Sequence, residues 1–156
     1  MLHNKSYLSL ERYGMKNISF AEIKDACKII ADKIKSENPE KITIVAVARG
    51  GLIPATMTAH MLGIKDIRFI RLSSYADDHQ RSELIDTTSD EIPNTETTHI
   101  IDDICDSGET ILYLRKKYPL AKLYTVINKN PTIKPDFAPI TEPEGLWITF
   151  PWENIE

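Results

Sequence analysis

From Phe20 onward, apolar residues fall at Phe20, Ile23, Cys27, Ile30 and Ile34, the spacing of one helical face. Ser19 with Glu22 three positions on is a capping-box pair, so the pattern predicts a helix from about Phe20 to Ser36, with Pro39 at its exit. The period then changes. ITIVAVA, residues 42 to 48, is a near-continuous apolar, β-branched run, as expected of a parallel strand buried on both faces. It ends in ARGG and leads into LIPATMTAHMLG, a predicted helix closed by Gly63. Ile67 to Leu72, THIID (98 to 102) and KLYTVIN (122 to 128) read as further strands, and Glu109 to Tyr118 as a helix stopped by Pro119. This alternation implies an α/β domain with a central, mainly parallel sheet flanked by helices, and a ligand site at the carboxyl ends of the strands.

One segment breaks the alternation. Ser73 to Thr98 has no clear period and carries seven acids against one base, Arg81. Its net charge of -6 leaves +2 for the remainder of a chain at -4. A long polar stretch inside a compact domain is either a mobile functional loop or a solvated surface excursion.

Composition then narrows the partners. At 156 residues the chain fits one domain, 1 to 156, and 42% hydrophobic with 27% charged residues is ordinary for a globular protein. A net charge of -4 offers no global positive field, so no nucleic-acid partner is expected. The N-terminus lacks the apolar core of a secretory signal. The longest weakly polar run, Leu52 to Ile64, is too short for a bilayer and contains His60, so no integral membrane association is expected. Two cysteines make neither a disulfide framework nor a metal knuckle, which points to a reducing cytoplasm. Cys27 falls on the apolar helix face, a packing position, and Cys105 is expected to be a small filler.

The chemistry concentrates in two strand-to-helix corners that hold three of the six glycines, Gly50, Gly51 and Gly108. Glycine lets main-chain N–H groups approach an anion, and a following helix N-terminus adds partial positive charge. In Ser107-Gly108-Glu109-Thr110 the two hydroxyls can add donors to the same anion, or Ser107 can simply cap the helix. Asp102, Asp103 and Asp106 would repel a bare phosphate. They make sense if they bind hydroxyls, hold Mg²⁺ or move a proton, and a pentose carrying phosphates needs all three. Read only as D-D-x-x-D, these residues match the metal motif of prenyl-transferring enzymes. That motif lies on a helix in large all-helical proteins, whereas this one follows a strand, which excludes it.

IIDDICDSGET resembles the 5-phosphoribosyl pyrophosphate (PRPP) motif of the type I phosphoribosyltransferases: apolar strand, two acids, two mostly apolar residues, Asp, Ser or Thr, Gly, any residue, Thr. VARGGLIPATMTAHMLGI looks like the Ser-Arg-Gly-Gly loop and helix of the xanthine-guanine phosphoribosyltransferases, with Ala48 in place of the serine. SSYADDHQRSE is similar to that family's flexible loop, and NKNP with LWITFPWE to its purine-binding lysine and late Trp-Ile and Pro-Trp-acid segments. The resemblance spans roughly Lys41 to Glu153.

What it implies is a glycosyltransferase of purine salvage in the cytoplasm, with Mg²⁺ as cofactor. It would move 5-phosphoribosyl from PRPP to an oxopurine (xanthine, guanine or hypoxanthine), giving the nucleoside 5-monophosphate and pyrophosphate. Asp102 and Asp103 would contact the ribose hydroxyls, directly or through the metal. The main chain from Asp106 through Ser107, Gly108, Glu109 and Thr110 would cradle the 5-phosphate, with the Glu109 side chain in solvent. Arg49 and Gly50 would bind pyrophosphate beside a non-proline cis bond at Ala48-Arg49. Asp106 would accept a proton near purine N7, Lys129 would donate to the 6-oxo group, and Trp147 with Ile148 would cover and read the base. Ser74, Tyr75 and Arg81 would belong to a flexible lid over about 73–98, and residues 129–153 would form a small C-terminal hood. Such proteins pair or form tetramers, so a homo-oligomer is expected. The chain stops soon after PWE, where that family usually continues with an apolar tail. Two alternatives stay open: a non-catalytic PRPP- or nucleotide-sensing regulator of the same fold, and a phosphoribosyltransferase for another base.

Overall fold

The computed structural model describes residues 14–37, 40–74 and 83–153. A central sheet of six strands runs in the order β4-β3-β2-β5-β6-β7. Its parallel members are β2 (Thr43–Ala48), β3 (Ile67–Ser74), β5 (Thr98–Cys105), β6 (Lys122–Asn128) and β7 (Ile140–Thr141), and β4 (Leu84–Asp86) runs antiparallel to β3. Among the described residues three helices flank it: α1 (Phe20–Glu37), α2 (Leu52–Leu62) and α3 (Glu109–Lys117).

The two-residue period of β2 explains the layers. Ile44 and Ala46 join α1 and α2 in one core with Ile23, Ile30 and Ile34. Val45 and Val47 face the other side, where Ile111 and Leu114 of α3 cover them. Each fully buried isoleucine of α1 stabilises the fold by about 1.5–3 kcal/mol, so the helix is held by its stripe. Its start is the expected capping box: Ser19 N donates to Glu22 Oε2 (2.9 Å) and Glu22 N to Ser19 Oγ (3.1 Å). Gly63 closes α2 in the left-handed region, φ 71°, as expected. Cys27 is fully buried and its thiol is pushed up to about 11 by burial, in keeping with a packing role.

Three features depart from the sequence reading. The segment after Ser74 is not wholly irregular, because β4 pairs Leu84 with Ser74 and Asp86 with Leu72. Beyond β4, Thr88 Oγ1 and Asp90 Oδ2 accept the edge amides of Arg71 and Phe69. Side-chain oxygens thus cover the sheet edge where an alternating pattern would have announced a strand. Of the expected lid, residues 75–82 lie outside the described residues. Second, β5 continues through Cys105, so Asp103 lies inside the strand and Asp102 is not its last residue. Third, the hood is not built from the C-terminal segment alone. A separate two-stranded parallel sheet joins β1 (Met15–Asn17) to β8 (Trp147–Thr149), and the Lys16 ammonium pairs with Glu142.

Candidate active site

The carboxyl ends of β2 and β5 lie side by side, each turning into a helix through a glycine corner. At the β2 corner the cis bond falls at Ala48-Arg49, and Gly51 N donates to Val47 O at 2.8 Å to make the turn. Gly50 packs flat against Asp103: a Cβ there would lie 2.2 Å from Asp103 Oδ2. A Cβ on Gly51 would lie 2.4 Å from the Ile101 carbonyl oxygen. These contacts require glycine and join the two corners. Arg49, Gly50 and Asp103 face Trp152 and Glu153 across a cavity of about 530 Å³.

At the β5 corner, Gly108 takes φ 84°, and its missing side chain leaves room for Ile133, 2.7 Å from where a Cβ would stand. Ser107 Oγ accepts the Glu109 amide at 3.3 Å, although the helix N-cap is Gly108, and the Glu109 side chain is exposed as expected. Among the described residues the amides of Ser107, Gly108 and Thr110 donate to no protein acceptor. They are orphan donors at a helix N-terminus, beside a cavity of about 150 Å³ lined by Asp102, Asp106, Ser107, Gly108 and Thr110. A small anion fits that chemistry.

The acids differ in their surroundings. Burial pushes the Asp102 carboxyl well above the usual carboxylate range, and the adjacent Asp103 charge adds to the effect. Asp103 is also raised, by burial first, against hydrogen bonds from Asp102 and the Ile104 amide that favour its charged form. No ion pair among the described residues includes either one. Asp106 is largely exposed, 64% for its side chain, and pairs at 3.3 Å with the ammonium of Lys129, whose side chain is only 6% exposed. Lys129 is positioned by the end of the β5–β6 ladder, its N–H donating to Cys105 O at 2.9 Å. Cys105 is buried with its thiol raised, by burial first and then by Asp102 and Asp106, which suits a filler.

Among the described residues no group of three or more His, Cys, Asp or Glu side chains could hold a metal by itself. Asp102 and Asp103 offer two hard oxygen donors without a protein cation. That suits Mg²⁺, which is usually held by one or two carboxylates plus substrate phosphates.

The residues expected to face the base come from farther apart. Trp147 is 45% exposed and pairs with Met15 across the hood, while Ile148 is buried. Ser74 ends β3 at the same carboxyl-terminal end of the sheet as Arg49, but no described contact joins it to the other candidates. Tyr75 and Arg81 lie outside the described residues. Sequence reasoning missed Asn130, whose Nδ2 donates to the carbonyls of both Asp106 (3.0 Å) and Ser107 (3.1 Å). The only available signal was its type: asparagine in a loop often bonds to nearby main chain. It also missed Lys16, which braces the hood.

Residues 16–154 match the phosphoribosyl transferase domain family. Solved structures similar to this chain include a purine phosphoribosyltransferase from Pyrococcus horikoshii, 26% identical with TM-score 0.75, covering 91% of this chain and 96% of that one. A Neisseria gonorrhoeae protein with bound ppGpp is 22% identical with TM-score 0.71, covering 91% and 92%. The xanthine-guanine-hypoxanthine phosphoribosyltransferase of Helicobacter pylori is 21% identical with TM-score 0.69, covering 90% and 94%.

Proposed function

Because the chain belongs to the phosphoribosyl transferase domain family, we propose that it is a purine salvage enzyme joining the 5-phosphoribosyl group of PRPP to an oxopurine. The observation that carries this reading is the buried Lys129 ammonium beside Asp106, next to the orphan amides of the β5 corner. A fixed cation suits a 6-oxo acceptor and disfavours a 6-amino donor. A 26% identical relative is described as a purine phosphoribosyltransferase, which supports the same substrate class.

In this reading the amides of Ser107, Gly108 and Thr110, with the two hydroxyls, hold the 5-phosphate. Asp102 and Asp103 orient the ribose hydroxyls, and Arg49 and the Gly50 main chain hold the pyrophosphate. The bond from ribose C1′ to the pyrophosphate oxygen breaks with its electron pair, and a purine nitrogen forms the new bond to C1′. Asp106 accepts the proton the purine gives up. Charge gathers on the leaving group while the ribose becomes cation-like, so these residues act mainly by electrostatic clamping and positioning. Asp102 and Asp103, together with the substrate phosphates, would hold Mg²⁺, which would supply positive charge to offset that on the leaving group. Trp147 covers the base.

The test is mass spectrometry of the mixture after adding PRPP, Mg²⁺ and, separately, guanine, xanthine, hypoxanthine, adenine and uracil. Nucleotide should form with oxopurines only, and Asp106→Asn should lower kcat by about 10²–10⁴ if it serves as the proton acceptor. Product with uracil or adenine alone would move the assignment to another base. No product from a protein that still binds PRPP would favour the non-catalytic regulator.

A further inference from the structure

One side chain of the loop after β6, Asn130, makes two hydrogen bonds to the main chain of the phosphate corner. The Asn130 amide uses its full hydrogen-bonding capacity. Its Nδ2 donates to Asp106 O (3.0 Å) and Ser107 O (3.1 Å), and its Oδ1 accepts from Thr132 N (2.9 Å) and Ile133 N (2.8 Å). Asn128 in turn holds the Asn130 main chain, accepting its N–H at 3.2 Å and donating to its carbonyl at 3.0 Å. Lys129 lies between the two asparagines. The β5–β6 ladder ends at Cys105 and Asn128, so beyond that point these bonds, the Lys129 ion pair and the contact of Ile133 with Gly108 set the relation of the two loops.

The peptide plane gives this arrangement a direction. In a trans peptide the carbonyl oxygen and the next residue's N–H point to opposite sides. Holding Asp106 O therefore aims the Ser107 N–H away from Asn130, and holding Ser107 O aims the Gly108 N–H likewise. Those are two of the orphan donors beside the small cavity.

We propose that Asn130 is a positioning residue that aims the anion-binding amides of Ser107 and Gly108 and locks them to the Lys129 segment. The inference rests on the functional reading above. Its consequence is that the 5-phosphate of a bound nucleotide contributes fully to affinity only while Asn130 keeps its Nδ2 donor.

Asn130→Asp tests this with little change of shape, keeping the acceptor for Thr132 and Ile133 but placing an oxygen against two carbonyls. Asn130→Ala, which removes both sets of bonds, is the second variant. Calorimetry would compare guanosine, inosine and xanthosine with their 5′-monophosphates. In Asn130→Asp the affinity gained from the phosphate should fall about tenfold or more, while nucleoside affinity changes much less. Equal loss for nucleosides and nucleotides would mark general structural damage and overturn the proposal, as would no loss. A second readout is independent of the base: inorganic phosphate should shift the Ser107 and Gly108 amide NMR signals in the wild type and do so weakly in both variants. If the wild type binds no nucleotide yet shows those shifts, the functional reading fails and the role of Asn130 stands. Equal shifts in wild type and variants would refute that role.

Discussion

At the amino end of β5, His99 is wholly buried, and its Nδ1 lies 3.1 Å from the Tyr124 hydroxyl, which donates to Glu37. At the carboxyl end of the same strand, Asp102 and Asp103 are held above the usual carboxylate range with no basic partner among the described residues. Both ends carry ionisable groups the fold would rather keep neutral. At the amino end the Tyr124 hydroxyl meets Nδ1 while Nε2 is buried without a partner among the described residues, and burial, the largest effect, lowers the imidazole to about 4 against a smaller opposing effect of Glu37, so the ring is held neutral. At the carboxyl end two acids lie beside orphan amides and a glycine-lined cavity. Carboxylates without a cation and unanswered N–H groups gathered beside a cavity mark where a ligand completes the structure; a lone ring held neutral by burial marks packing.

The largest expected effect breaks the comparison at its amino end. His99 has a folded value below its unfolded one near 6.5, so the unfolded chain binds the extra proton. Its contribution is complete above about pH 6.5 and is lost as pH falls toward 4, roughly 3 kcal/mol over that window. Urea unfolding at stepped pH should show that slope, and His99→Phe should flatten it. An unchanged slope would mean other groups govern acid stability. Next is the β2 corner, where Gly50→Ala would drive the Asp103 carboxylate aside. Steady-state kinetics should show kcat/KM for PRPP lowered roughly 10²-fold, with the melting temperature little changed. The smallest effect sharpens the comparison. The acids have folded values above their unfolded ones, so their ionisation costs stability as pH rises through that range. Asp103→Asn should therefore stabilise the free protein by about 1 kcal/mol near neutral pH while lowering activity. A destabilised variant would show that the carboxylate is answered within the fold.

What the sequence revealed follows contact distance along the chain. The β5 corner is legible because the orphan amides, the acids and the start of the following helix come from one stretch of thirteen residues, 98 to 110. The layers were legible because β2 is a near-continuous apolar run and α1 keeps its stripe; β6 spans the same Lys122–Asn128 in sequence and structure. The hood was half legible. Met15-Lys16-Asn17 is too short to show a period, and its partner Trp147-Ile148-Thr149 lies far along the chain. β4 was hidden by its polar composition, because edge amides met by Thr88 and Asp90 leave no hydrophobic signature. Asn130 was hidden because its meaning lies in two carbonyls on another loop, not in its neighbours.

The contrast between the two ends of β5 is tested most directly by thermal unfolding of the wild type and the Asp102→Asn, Asp103→Asn double variant, each with and without PRPP and Mg²⁺. At about 100-fold excess over its dissociation constant, the ligand should stabilise the wild type by about 2.7 kcal/mol, a rise of several degrees. The double variant should start higher and gain little. Equal gains in both proteins, or no gain in the wild type, would contradict the claim that these acids are left unanswered for this ligand.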